Sequence, residues 1–174
     1  MTSLPPIEGT LSPSHAQADS VATTVQTVMT FPAGAQAVWK ELMFYEQVEE
    51  RPSFLLRLLL PVPIRTVGRK SEVGDEATCL YEGGQLIKRV TQTEAGREYR
   101  FEVIEQALAV GRGVRLSGGA YTLREVAEGT EVTAMTRYLS PRRPRWLWKP
   151  IEATVCHAFH RHILGAMRHK LPAA

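Results

Sequence analysis

A glutamate and a lysine intrude on stretches that otherwise alternate apolar and polar residues. From Arg97 to Gln106 the alternation puts Tyr99, Phe101, Val103 and Glu105 on one face and Arg100 and Glu102 on the other. From Gln85 to Thr93, Lys88 shares a face with Leu86 and Val90. Tyr81, Tyr121, Leu123, Thr136 and Tyr138 fall on the corresponding faces of neighbouring stretches. A carboxyl buried among such residues has a raised pKa unless it is paired, and can serve as a general acid or base. Glu105, Lys88 and Tyr121 are therefore the catalytic candidates. A second reading puts Glu105 at a strand end in a solvent-facing ion pair.

The segment CHAFHRH places Cys156 and His160 four residues apart, and His157 and Arg161 likewise. Two soft ligands at that spacing could begin a zinc site, but no third ligand follows at a characteristic interval and there is no HExxH. No metal and no cofactor are expected. Cys156 reads as a cysteine at the edge of the core, with partly exposed histidines around it. An intermediate reading brings His160 or His162 to the mouth of a cavity. No Gly-x-Ser-x-Gly elbow, Ser-His-Asp motif or Walker loop is present. The glycines of VGRGV read as a flexible loop at an entrance. PRRPRWLWK sets arginines beside Trp146 and Trp148, which suits nucleic acid or the headgroups of an anionic membrane. The favoured reading is a structural corner, with the tryptophans packed over the sheet end and the arginines solvated. Nucleic acid is the weakest of these, because the strands offer no matching stacking platform.

These residues belong to a chain of 174 residues, 44% hydrophobic and 22% charged, enough for one domain with a real core. The formal charge is +3, with 21 basic and 18 acidic residues. That balance favours a local basic face, at Arg142, Arg143, Arg145, Lys149, Arg161, Arg168 and Lys170, over a generally cationic protein. Two cysteines, Cys79 and Cys156, make no disulfide framework and point to a reducing, cytoplasmic compartment. No run reaches the length of a membrane span, and the first 20 residues lack the pattern of a secretory signal.

The elements that must position the candidates follow from periodicity. Residues 1–22 are rich in Pro, Ser, Thr and Ala and read as a disordered or loosely attached tail, leaving 23–171 as the domain. Val25 to Phe31 alternates as a strand, and Ala35 to Phe44 has helical spacing. Glu46 to Pro63 packs six large apolar residues, Phe54 to Leu60, around Arg57. It reads as a second short helix, or as a lid over a pocket or a patch touching a membrane or partner. Six strands follow: Arg65–Ser71, Glu76–Glu82, Gln85–Thr93, Arg97–Gln106, Arg115–Val126 and Thr130–Leu139, with Gly83-Gly84 as a hairpin pair. The longest helical pattern closes the chain, with Pro150 in its first turn. Ile151, Val155, Phe159, Ile163 and Met167 make its apolar stripe, and His157, Arg161, Leu164 and Arg168 lie mostly on the other side. Short turns imply an antiparallel meander. Its apolar face needs a cover, and only the last helix is long enough.

The order resembles the Bet v 1-like, START-related superfamily, the polyketide cyclase/dehydrase and lipid-transport (SRPBCC) group, over about residues 24–170. VQTVMTFPAGAQAVWKEL looks like its opening strand and helix, VTQTEAGREYRFEV like its central hairpin, and EGTEVTAMTRYL like its last strand. FLLRLLLPVP and SPRRPRWLWKP are not general features of the group. The resemblance implies an α+β helix-grip fold: a curved seven-stranded antiparallel sheet around a long C-terminal helix, with two short helices after the first strand. It implies a cavity holding a lipid, polyketide or isoprenoid-like molecule. Its expected lining is Tyr81, Tyr99, Phe101, Val103, Glu105, Tyr121, Leu123, Thr136, Tyr138, Val155, Phe159 and Ile163. Two alternatives go with it: a cyclase or dehydratase using a cavity carboxylate or tyrosine, and a lipid-transfer protein touching membranes through 54–60 and 142–149.

Overall fold

The alternation of Val25, Thr27, Met29 and Phe31 folds as β1 (Val21–Phe31), and Pro32 ends it. The computed structural model describes residues 21–44, 63–108 and 113–171. After β1 come α1 (Ala35–Phe44), β2 (Pro63–Gly68), β3 (Glu76–Tyr81), β4 (Gly84–Glu94), β5 (Glu98–Leu108), β6 (Arg115–Val126), β7 (Gly129–Ser140) and α2 (Arg145–Lys170). The seven strands form one antiparallel sheet in the order β1-β7-β6-β5-β4-β3-β2. Strands β2 to β7 are thus a meander, and β1 closes its far edge against β7. The segment 54–60 and most of the tail lie outside the described residues. Residues 21 and 22, assigned to the tail from composition, belong to β1.

Bulges bend this sheet. In β5, Ile87 faces Glu105 while Lys88 faces Val103, so Ile104 is an extra residue. Thr91 in β4 and Ser117 in β6 are extra in the same way. Each insertion bends its strand and sharpens the twist. The glycine pair at the β3–β4 hairpin is used one residue early. Glu82 and Gly83 form the turn, with Gly83 at φ 87°, a conformation glycine adopts without strain.

The concave face holds the core. Phe31, Val38, Val90, Val132, Leu164 and Met167 are fully or almost fully buried. Each contributes roughly 1.5–3 kcal/mol relative to an exposed side chain. Val38 and Leu42 are the buried side of α1, as its helical spacing predicts.

The long helix differs from its predicted start and phase. It begins at Arg145, so Pro150 is its sixth residue and the Trp-Arg connector forms its opening turns. The Pro144 carbonyl accepts from the amides of Leu147 and Trp148 at 3.3 and 3.2 Å, starting the helix before Pro150 is reached. Pro150 then removes a single intrahelical bond. The side against the sheet runs through His160, Leu164 and Met167, not through a strict four-residue stripe, which drifts on a helix of 3.6 residues per turn. Leu164 is completely buried, whereas Ile151 is 44% exposed.

Candidate functional site

Between α2, α1 and strands β2 to β6 lies a partly enclosed cavity of about 100 Å³. Leu42 and Met43 of α1 and Phe159, Ile163 and Met167 of α2 form its apolar roof. Ala77, Cys79 and Tyr81 of β3, Lys88 of β4, Tyr99 of β5 and Tyr121 of β6 form its floor. Ile64, Arg65 and Thr66 of β2, with Lys70 beyond it, border the edge-strand side. The floor is a direct consequence of strand periodicity. The pairings Ala77↔Lys88 and Tyr99↔Tyr121 set alternate residues of four strands on one concave face.

Of the residues expected at the site, Tyr81, Tyr99, Tyr121, Phe159, Ile163 and Lys88 come together here. Phe101 stands behind Lys88, whose Nζ lies 4.8 Å from the centre of the Phe101 ring. Val103 pairs with Lys88 on the same face. Phe101 is itself seated over Gly119, its register partner. A Cβ at that position would come within 2.7 Å of the Phe101 ring and 2.6 Å of the Met135 carbonyl oxygen.

Glu105 is elsewhere. The bulge at Ile104 turns every later residue of β5 to the opposite face. Glu105 is exposed there, accepting a hydrogen bond from Gln85 Nε2 at 3.2 Å. Leu123 is buried in the core under α1 and α2. Thr136, Tyr138 and Val155 lie towards β7 and the start of α2, away from the cavity lining. Of the VGRGV loop, residues 110–112 lie outside the described residues.

Electrostatics fix the protonation of the floor. Burial, with Cys79 and Tyr121 nearby, raises the pKa of Tyr81 far above that of a free phenol. Burial, then Cys79 and Asp75, pushes Tyr99 up to about 12. Both phenols therefore stay protonated near neutral pH and can donate hydrogen bonds.

A second polar cluster, absent from the expected site, lies on the opposite flank of α2. Thr27 Oγ1 is 2.8 Å from His157 Nδ1 and 2.8 Å from His160 Nδ1. Thr136 Oγ1 is 2.8 Å from His160 Nε2, and Cys156 Sγ is 3.7 Å from the same nitrogen. His160 is thus a buried histidine engaged at both nitrogens, not a rim group. Burial, then the neighbouring His157, lowers its pKa to about 4. Burial raises the Cys156 thiol to about 11. His162 is half-buried, and its Nε2 has no hydrogen-bond partner among the described residues. No group of three His, Cys, Asp or Glu side chains among the described residues could hold a metal ion. The available signal was the inward position of Thr27 and Thr136, polar residues needing partners opposite the helix.

Further along, Arg145 Nη1 donates to Glu152 Oε2 at 2.9 Å and its Nη2 to Thr23 Oγ1 at 3.1 Å. Ser140 Oγ donates to Glu152 Oε1 at 2.6 Å. This buried pair ties the first turns of α2 to the ends of β1 and β7. Trp146, Leu147 and Ile151 stay on the outside, with Trp146 78% exposed.

No protein-family profile and no curated protein matches the sequence. Solved structures do match. A protein of unknown function, SA2116 from Staphylococcus aureus, superposes with a TM-score of 0.59 at 10% identity, over 86% of this chain and 93% of that one. The Aha1 dimer from Colwellia psychrerythraea gives 0.55 at 11% identity, over 86% and 96%. Ara h 8.0201, a Bet v 1 homologue, gives 0.54 at 11% identity, over 86% and 97%. At such identities the likeness is one of fold, consistent with the seven-stranded antiparallel sheet, the long C-terminal helix and the short helix after β1: the chain has the Bet v 1-like helix-grip fold.

Proposed function

We propose that the protein binds a small, largely apolar ligand in the cavity between the sheet and α2. The observation that carries this reading is the lining itself: Leu42, Met43, Phe159, Ile163 and Met167 face Tyr81, Tyr99, Tyr121 and Lys88 across one hollow. Ligand sites are mostly apolar with a few placed polar groups. The apolar wall takes ligand surface out of water, at about 25 cal/mol per Å², and the hydroxyls and ammonium fix its orientation. A volume of about 100 Å³ admits a group of a few heavy atoms. The rest of a larger lipid, polyketide or isoprenoid-like molecule extends beyond it. Two free thiols, Cys79 and Cys156, suit a reducing, cytoplasmic setting.

Native mass spectrometry of the protein purified without denaturant tests this reading. The expected result is a bound species that is lost in Ile163→Trp, where the indole fills the cavity. A wild-type protein that carries nothing, and is not stabilised against heat by any of a panel of apolar compounds, overturns it.

Lipid transfer is a second reading, favoured by the exposed Trp146, Leu147 and Ile151 beside Arg142, Arg143 and Lys149. No helix of the described residues is long and apolar enough to cross a membrane, so contact of this kind would be at a surface. A cyclase or dehydratase needs a proton-transfer group at the ligand. Among the described residues no carboxylate lines the cavity, so the candidates for that role there are Lys88 and Tyr121.

A further inference from the structure

The acidic residues of the central strands stand on the convex face. There Arg89 pairs with Glu76 at 2.8 Å and Glu102 at 3.4 Å, Arg100 with Glu98 at 2.6 Å, and Arg124 with Glu131 at 2.8 Å. The concave face is built differently. The described cavity lining includes Arg65, Lys70 and Lys88 and no aspartate or glutamate. Lys88 is half-buried and forms no ion pair with any described residue; its ammonium rests on the Phe101 ring instead. The hydroxyls of Tyr81 and Tyr99 share that cavity, and neither bonds a described residue. A half-buried ammonium and two protonated phenols bring hydrogen-bond donors together with no carboxylate among the described lining residues, the arrangement that suits an oxyanion.

We infer that the ligand is a carboxylic acid in its anionic form, seated with its carboxylate against Lys88 Nζ and the Tyr81 and Tyr99 hydroxyls and its apolar body under Phe159 and Ile163. This rests on the reading of the cavity as a ligand site and narrows the class of ligand. A neutral alcohol leaves the ammonium without a counter-charge, and an amine meets it with like charge. Partial burial strengthens the ion pair relative to one in open water. Arg65 on the edge-strand side places further positive charge where an anion would approach.

Three six-carbon probes of equal length isolate the head group: hexanoate, 1-hexanol and hexylamine, titrated at pH 7 and followed by amide chemical shifts. Hexanoate is expected to bind about ten-fold or more tightly than hexanol, with shifts at Tyr99, Phe159 and Ile163, and hexylamine more weakly than either. In Lys88→Met the hexanoate advantage is expected to vanish while hexanol binding persists, which also shows that the variant folds. Hexanol binding as tightly as hexanoate overturns the inference and leaves the cavity reading standing. Hexanoate binding that survives Ile163→Trp places the acid elsewhere and overturns it as well. An absence of cavity shifts with all three probes overturns both.

Discussion

His160 Nδ1 sits 2.8 Å from Thr27 Oγ1, and the same hydroxyl reaches His157 Nδ1 at 2.8 Å. One hydroxyl has one proton to give. It donates to one imidazole and accepts from the other, so the two rings carry complementary protonation at Nδ1. His160 Nε2 is engaged in turn by Thr136. The chain of bonds clamps α2 to β1 and β7. Strands β2 to β6 are left to face the cavity, so one flank of the helix holds it in place and the other lines the hollow.

A clamp built on a neutral buried imidazole predicts acid sensitivity. His160 titrates near 4 when folded and near 6.5 when unfolded. Between those values the unfolded chain binds more protons, so stability falls as pH falls through that window and is unaffected by this group above it. The loss approaches about 3 kcal/mol at the lower end. Urea denaturation from pH 7.5 to 4 measures it in wild type and in His160→Gln. Carboxylate contributions are common to both, and the wild-type curve is expected to fall more steeply. Parallel curves would remove His160 as the cause.

Thr27 is expected to matter through what it satisfies. Thr27→Val keeps the shape but strips two ring nitrogens of their shared partner, at about 2–3 kcal/mol. Thr27→Ser keeps the hydroxyl and is expected to recover most of that difference. If serine and valine are equally destabilising by thermal denaturation, the lost methyl packing and not the hydrogen bonds explains the effect.

The buried pair Arg145–Glu152 gives a third expectation. Its side chains are 15% and 7% exposed; Ser140 bonds Glu152 and Thr23 bonds Arg145, while Arg145 Nε has no partner among the described residues. Removing one charge strands the other, so Glu152→Gln is expected to destabilise by roughly 3 kcal/mol. Adding Arg145→Met to it should cost much less than a second such loss. A double-mutant cycle in urea reads the coupling, and strict additivity would show that the two charges act independently.

Periodicity alone put Tyr81, Tyr99, Tyr121 and Lys88 on one face, because two-residue alternation survives wherever strands are regular. It failed at Glu105 because a single inserted residue, Ile104, reverses the face. Whether a strand bulges depends on how the sheet curves around its contents, which no local pattern records. The helix misled in a related way. A four-residue stripe picked out Ile151 and left Leu164 outside, but the sheet contacts the line through His160, Leu164 and Met167. His160 was misplaced for a chemical reason. A histidine belongs in a core only when both nitrogens find partners, and those partners, Thr27 and Thr136, are far away in sequence.

Gly119 joins fold and cavity. The Phe101 ring occupies the space a side chain would take there, and Lys88 rests on that ring. Gly119→Ala is expected to displace the ring and destabilise the protein by about 1–3 kcal/mol. Hexanoate binding should weaken with it, since the support under the ammonium moves. Unchanged affinity in a folded Gly119→Ala protein would argue against Phe101 as the positioner of Lys88.

The exposed start of α2 separates transfer from simple binding. Trp146 is 78% exposed, Leu147 41% and Ile151 44%, and Arg142 lies over the Trp148 ring at 4.9 Å. Apolar tips set among cations match an anionic bilayer surface, where an indole sits at headgroup level and arginine meets phosphate. The protein is expected to co-sediment with vesicles containing about one-third phosphatidylserine in phosphatidylcholine, and to be released as salt rises. Trp146→Ala with Leu147→Ser should abolish the association without changing the melting temperature, because both side chains already face solvent. Wild-type protein that stays in the supernatant at low salt would eliminate the transfer reading. Ligand binding in the cavity would be untouched by that result, since the patch and the hollow use different residues of the helix.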